Sequence, residues 1–276
     1  MDPTRRSILL AAPALALAGP LAAPARAAPS ARLLDDRWTR HGDASETDAA
    51  AWSGFLGRYR VLGEDGIARL RFGAVTGEDK RALDAQIGRW AAIDPTSLTR
   101  DAAFAYWANY YNALTVRMVL EVYPVRSIRD IGGSLFNPGP WREKVTVIAG
   151  VSLSLDDIEH GIMRPVFGDA RVHYAVNCAA LGCPNLPDRA FAAADLDARL
   201  DGAARAFVNH PRGARVEDGR LTVSSIYHWF EEDFGGDDRG VVAHLKRYAE
   251  APLDSALEGV ARVADHDYDW ALNDAT

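Results

Sequence analysis

The stretch from residue 101 to 122 constrains the fold more than any other part of the chain. Phe104, Trp107, Tyr111, Leu114, Val116, Met118, Val119 and Leu120 put apolar side chains on nearly every side of the helix predicted there. A helix without a polar face has to run through the middle of a protein. Asp101 can cap its start, and Pro124 ends it. Asn109 and Asn112 lie three residues apart and so share one face. Buried amides need partners. These two either pin a neighbouring loop through its backbone or line a site, where an amide can orient a catalytic imidazole.

Covering such a helix takes a sizeable core, and 276 residues at 48% hydrophobic and 25% charged can supply it. The same proportions exclude disorder, collagen and a disulfide-dense scaffold. Seven Trp and nine Phe are spread along the chain rather than gathered in one half, which predicts a single domain. The formal charge is −7 with no long block of one sign, so there is no electrostatic footprint for nucleic acid.

Residues 1–27 read as an export signal: Arg5 and Arg6, an apolar stretch from Ile8 to Ala23, and the small-residue triplet ending at Ala27. The paired arginines resemble a twin-arginine signal, although Ile8 stands where Phe is usual. Pro13, Pro20 and Pro24 interrupt the apolar run, which argues against a membrane anchor. Cleavage leaves a mature chain of charge −9, periplasmic or secreted, with no transmembrane segment. Residues 28–50 are expected to form a flexible lead-in, and residues 51–276 a single domain.

Along that domain, helix patterns cover 77–93, 101–122, 155–165, 193–209, 225–234 and 238–249. A hairpin is predicted over 144–153 and another with its turn at Glu217, Asp218 and Gly219. Residues 171–176 read as a short strand, 177–187 as a loop, and 261–270 as a last strand-like segment. With neither a GxGxxG turn nor a βαβ rhythm, the order is α+β, helices packed on a small antiparallel sheet.

Five ordered stretches carry a family resemblance: Phe104–Leu114 (FAYWANYYNAL), Leu155–Arg164 (LDDIEHGIMR), His173–Pro184 (HYAVNCAALGCP), Ser225–Phe234 (SIYHWFEEDF) and Tyr268–Asn273 (YDWALN). Together they resemble the domain of unknown function family 547, from about Trp52 to the end of the chain. That family has no established activity, so chemistry has to be argued from the residues.

Cys178 is the first candidate, placed before a turn of small residues where backbone N–H groups can face an oxyanion. A thiol becomes a nucleophile when a nearby His or helix N-terminus holds it as thiolate. Cys183 lies five residues on, and two cysteines in an exported protein also suit a disulfide. His160 is a candidate base, singled out by its motif rather than by Glu159 beside it, since helix neighbours point about 100° apart. Arg164, four residues later, can hold a carboxylate or phosphate. His173 and Asp233 complete the candidates as substrate-binding residues. A strand through His173 would turn it to the opposite face from Cys178. Glu231 and Glu232 read as a solvated face.

Two functions follow. In the first, the protein is a thiol-dependent hydrolase or acyltransferase of papain-like or transglutaminase-like construction, acting on an amide or ester bond of a small molecule or peptide. Cys178 is then the nucleophile, His160 its base, and Asn109 or Asn112 the orienting amide. The alternative is a non-catalytic binding module with a Cys178–Cys183 disulfide. No cofactor is expected. Neither HExxH nor paired CxxC occurs, so a metal-dependent hydrolase stands third.

Overall fold

The computed structural model describes residues 30–134 and 137–275. The signal expected over residues 1–27 lies outside them. Helix α1 (Ala50–Tyr59) leads through the hairpin β1 (Arg60–Leu62) and β2 (Ala68–Leu70) to α2 (Gly77–Ala91) and then to α3 (Arg100–Val122). Every residue of α3 from Ala102 to Val116 is buried, as its unbroken apolar surface requires. Its cap is Thr99, whose hydroxyl accepts from the Ala102 N–H, rather than Asp101. Asp101 instead sits in the first turn, at the positive end of the helix dipole.

Around α3 lies the larger of two hydrophobic clusters, with Trp52, Trp90 and Trp107 fully enclosed. Trp38 belongs to it as well, at 3% exposure and edge-on to Trp107 with 5.5 Å between ring centroids. Within the segment expected as a flexible lead-in, residues 28–50, Trp38 is thus packed into the core. The polar composition of the segment hid one large aromatic that anchors it.

The pair β3 (Gly133–Ser134) and β4 (Asn137–Pro138) precedes the hairpin β5 (Thr146–Ile148) and β6 (Val151–Leu153). Ala149 and Gly150 form its turn, both at positive φ, as a tight two-residue hairpin demands. A continuous helical stretch follows: α4 (Leu155–Ile158), opened by a Ser154–Asp157 capping box, a π-helical turn at Glu159–Met163, and α5 (Arg164–Phe167). The predicted strand over 171–176 is instead the short helix α6 (Val172–Ala175). All four of its residues are buried, so the apolar pattern held no sided alternation to distinguish strand from helix.

The carboxyl part gathers the second cluster. Helix α7 (Leu196–Val208) precedes β7 (Ala214–Glu217) and β8 (Arg220–Ser224), turned at Asp218 and Gly219 as the sequence predicts. Then come α8 (Ser225–Trp229), a 3-10 turn at Glu231–Phe234, α9 (Asp238–Tyr248), α10 (Leu253–Ala256) and β9 (Asp265–Asp267). Tyr174, Phe207, Tyr227, Phe234 and Leu245 fill this core. The architecture is α+β with small antiparallel sheets, and β9 lies parallel beside β8. Among the described residues, no helix is long and apolar enough to cross a membrane.

Candidate functional site

The π-turn has a local cause in Pro165, which has no N–H to donate. The Arg164 N–H bonds the Glu159 carbonyl, five residues back. The carbonyls of His160 and Gly161 would then look to Pro165 for a donor, in π and α register respectively. The amino-terminal segment supplies both instead. Arg32 N–H donates to the His160 oxygen at 3.1 Å and Leu34 N–H to the Gly161 oxygen at 2.8 Å. One turn of wider helix thus binds a strap of chain.

That turn points Glu159, His160 and Arg164 inward, each under a tenth exposed. Arg164 is the hub. Its Nε donates to Asp233 Oδ2 at 2.5 Å, its Nη2 to Glu232 Oε1 at 2.6 Å, and its Nη1 to His160 Nδ1 at 3.2 Å. The guanidinium also lies 4.8 Å from the centroid of the Phe230 ring. Because arginine can only donate, His160 Nδ1 accepts, and the ring proton sits on Nε2. Nε2 faces Asp156 Oδ1 at 3.9 Å. Burial pushes the His160 pKa down, Glu159 and Asp156 notwithstanding, which fits a neutral imidazole.

His173 sits on the other side of the same carboxylate, its Nε2 2.7 Å from Asp233 Oδ2 and its Nδ1 3.6 Å from Glu159 Oε1. Burial works against its charge, but hydrogen bonds to Asp233 and Glu159 outweigh it and raise the pKa. The carboxylates respond in kind. Burial opposes ionisation of Glu159, yet the facing His160, His173 and Arg164 hold it at about 2. His173 and Arg164 likewise hold Asp233 at about 2 against its burial. The result is a closed chain of charges with Phe230 stacked on His173 at 4.2 Å.

The cysteines lie in a second constellation. Cys178 and Cys183 are joined as a disulfide. The sulfurs contact Tyr268, whose hydroxyl is 3.2 Å from Cys178 Sγ and 3.0 Å from Cys183 Sγ. Disulfide sulfurs carry no hydrogen, so the phenol donates. Burial and the Glu159 charge both raise the Tyr268 pKa and keep it a donor. Asparagines hold the loop. Asn112 donates to the Ala175 carbonyl and accepts from the Asn177 N–H, both at 2.8 Å. Asn177 in turn accepts from the Ala179 N–H and donates to the Pro184 carbonyl. The tail pairs alongside: Asn273 N–H donates to the Ala179 carbonyl, and Leu181 N–H to that of Ala271.

An open groove of about 730 Å³ borders this loop, lined by Leu181, Gly182 and Tyr268 together with Asp65, Arg69, Arg212, Arg215, Asp267 and Asp269. Arg69 pairs with Asp65 and Arg215 with Asp267. Arg212 is committed to neutral acceptors, the Leu181 carbonyl and Asn185 Oδ1. Burial lowers its pKa to about 10.

The residues singled out in the sequence thus divide. His160, Arg164, His173 and Asp233 come together in one buried network. Cys178 and Asn112 belong to the disulfide loop. Asn109 is elsewhere, clamping Phe191 through both its N–H and its carbonyl at 2.9 Å. The pairing of His160 with Cys178 is not found: the imidazole lies against Arg164, Asp156, Glu159 and Phe230, and the sulfur against Cys183 and Tyr268. Both ring nitrogens of His173 face carboxylates. Among the described residues no three His, Cys, Asp or Glu side chains converge as a metal-ligand set.

Sequence reasoning set Glu159 and Glu232 aside and missed Tyr268. Glu232 does not lie on a solvated face alone: besides Arg164 it accepts from the Ala31 N–H of the strap at 2.9 Å. Glu159 comes within 4.0 Å of His160. Both lie inside the motifs that carry the family resemblance, which was the available signal.

Residues 95–208 match the model of a family described as a protein of unknown function, DUF547. The match spans the first three of the five motifs, and those at 225–234 and 268–273 lie outside it. The chain matches no curated protein and no solved structure.

Proposed function

We propose that the chain is an exported binding module, not a thiol hydrolase in the form described, and that its ligand is a small molecule or peptide held in the groove beside Tyr268. The observation that carries this is the Cys178–Cys183 bond, which leaves no thiol for acyl transfer. The candidate base is engaged as well. His160 Nδ1 accepts from Arg164, and its Nε2 holds the proton, so no free lone pair faces a substrate. Asn112, the candidate orienting amide, spends both its groups on backbone. Export is supported by the three-part start of the sequence and by a disulfide, since such bonds persist in oxidising compartments.

Hydrolysis of p-nitrophenyl acetate separates the two functions. The binding module shows no sustained turnover, oxidised or reduced, beyond single acylation of whatever thiol reduction exposes. Sustained turnover by the reduced protein that disappears in His160→Ala would restore the hydrolase and acyltransferase mechanism.

A further inference from the structure

The two halves of the disulfide are unequal. Cys178 is half-buried, whereas Cys183 is 3% exposed. The donors are unequal too. Cys183 Sγ accepts from the Cys178 N–H at 3.0 Å and shares the single Tyr268 hydroxyl proton at 3.0 Å, while among the described residues Cys178 Sγ has that shared phenol alone, at 3.2 Å. Donors aimed at a sulfur stabilise the thiolate it becomes, and a better-stabilised thiolate leaves faster. Two residues of the ring closed by the bond, Leu181 and Gly182, line the groove with Tyr268. The groove therefore borders the loop that the bond closes.

We infer that this disulfide is a thiol–disulfide exchange site for cysteine-containing peptides, attacked at Cys178 with Cys183 as the leaving group. The peptide's thiolate forms a bond to Cys178 Sγ, and the Cys178–Cys183 bond breaks with its electron pair remaining on Cys183. That thiolate is received by the Cys178 N–H and the Tyr268 hydroxyl. A second thiolate on the same peptide then attacks the peptide's own sulfur in the mixed disulfide, and Cys178 departs as thiolate. The peptide dithiol is oxidised to a disulfide and the protein disulfide is reduced to two cysteines. The two thiol protons of the peptide pass to solvent or to the released cysteines. This inference goes beyond ligand binding and does not depend on which ligand occupies the groove.

The purified chain, incubated with excess reduced glutathione at about pH 8, quenched in acid and alkylated, reports the site of attack by peptide mass mapping. The expected product carries glutathione on Cys178 and the alkyl group on Cys183. Tyr268→Phe removes one of the two donors to the leaving thiolate and should slow adduct formation roughly tenfold. Glutathione on Cys183, an adduct that forms only in denaturant, or an unchanged rate in Tyr268→Phe would each overturn the inference. Since Tyr268→Phe can disturb the fold, the mapping on the unaltered chain decides the direction of attack by itself.

Discussion

Replacing Arg164 by Met keeps much of the side chain's length and removes its charge, which isolates what the guanidinium contributes. Its side chain is 1% exposed and bonds Asp233, Glu232 and His160. The three contacts are not equal. Glu232 is 52% exposed, so water replaces the arginine there, at a cost of about 1 kcal/mol or less. Asp233 is 19% exposed and, among the described residues, would keep His173 beside it. Removing one partner of a buried ion pair costs about 3–5 kcal/mol because the other charge is left uncompensated. With His173 still in place, the lower end applies, roughly 3 kcal/mol, a large part of the ~5–15 kcal/mol that holds a domain together. Urea unfolding of Arg164→Met against the parent chain near pH 7 measures it, with Glu232→Gln as the control expected to lose about 1 kcal/mol or less. A loss below about 1 kcal/mol in Arg164→Met would show that the network is solvated in solution and that the buried cluster is misdescribed.

The cluster also sets a pH dependence. Glu159 and Asp233 are held at about 2, below their ordinary 4.5 and 3.8, so their contribution is present above those ordinary values and is lost as pH falls through about 2. For Glu159 that amounts to roughly 3 kcal/mol. His173 is raised above 6.5, so its contribution is full below that value and fades as pH rises through the raised one. His160 and His244 run the other way: burial lowers them, so they cost stability as pH falls below 6.5, and melting temperature against pH should peak near 6.5; a maximum below about pH 5 would contradict the assignment. Asn112→Leu leaves the Asn177 N–H and the Ala175 carbonyl unpaired and should cost about 2–4 kcal/mol, read by chemical denaturation. Trp107→Ala, at the centre of the core, should cost about 3–5 kcal/mol on the same assay.

How far the sequence foretold this structure depends on the signal each part offered. The buried helix at 100–122 announced itself because an all-round apolar surface has one resolution, burial. The Asp218–Gly219 hairpin was equally legible, since its turn needs two residues at positive φ. Residues 172–175 were misread because a short, wholly buried run carries no period. The site was half legible. Motif positions brought out His160, Arg164, His173 and Asp233, but spacing along the chain could not show that Arg164 takes the His160 lone pair. Nor could it show that the strap residues Arg32 and Leu34 complete a π-turn that Pro165 leaves short of donors. The strap contacts join segments more than a hundred residues apart.

Counting thiols on the protein as purified bears most directly on what Cys178 does. Alkylation of the native chain followed by intact mass should add no label, and alkylation after reduction should add two, one for each cysteine. A native chain that takes up label rapidly at Cys178, at a rate that falls in His160→Ala, would contradict the binding module and return the residue to the role of nucleophile.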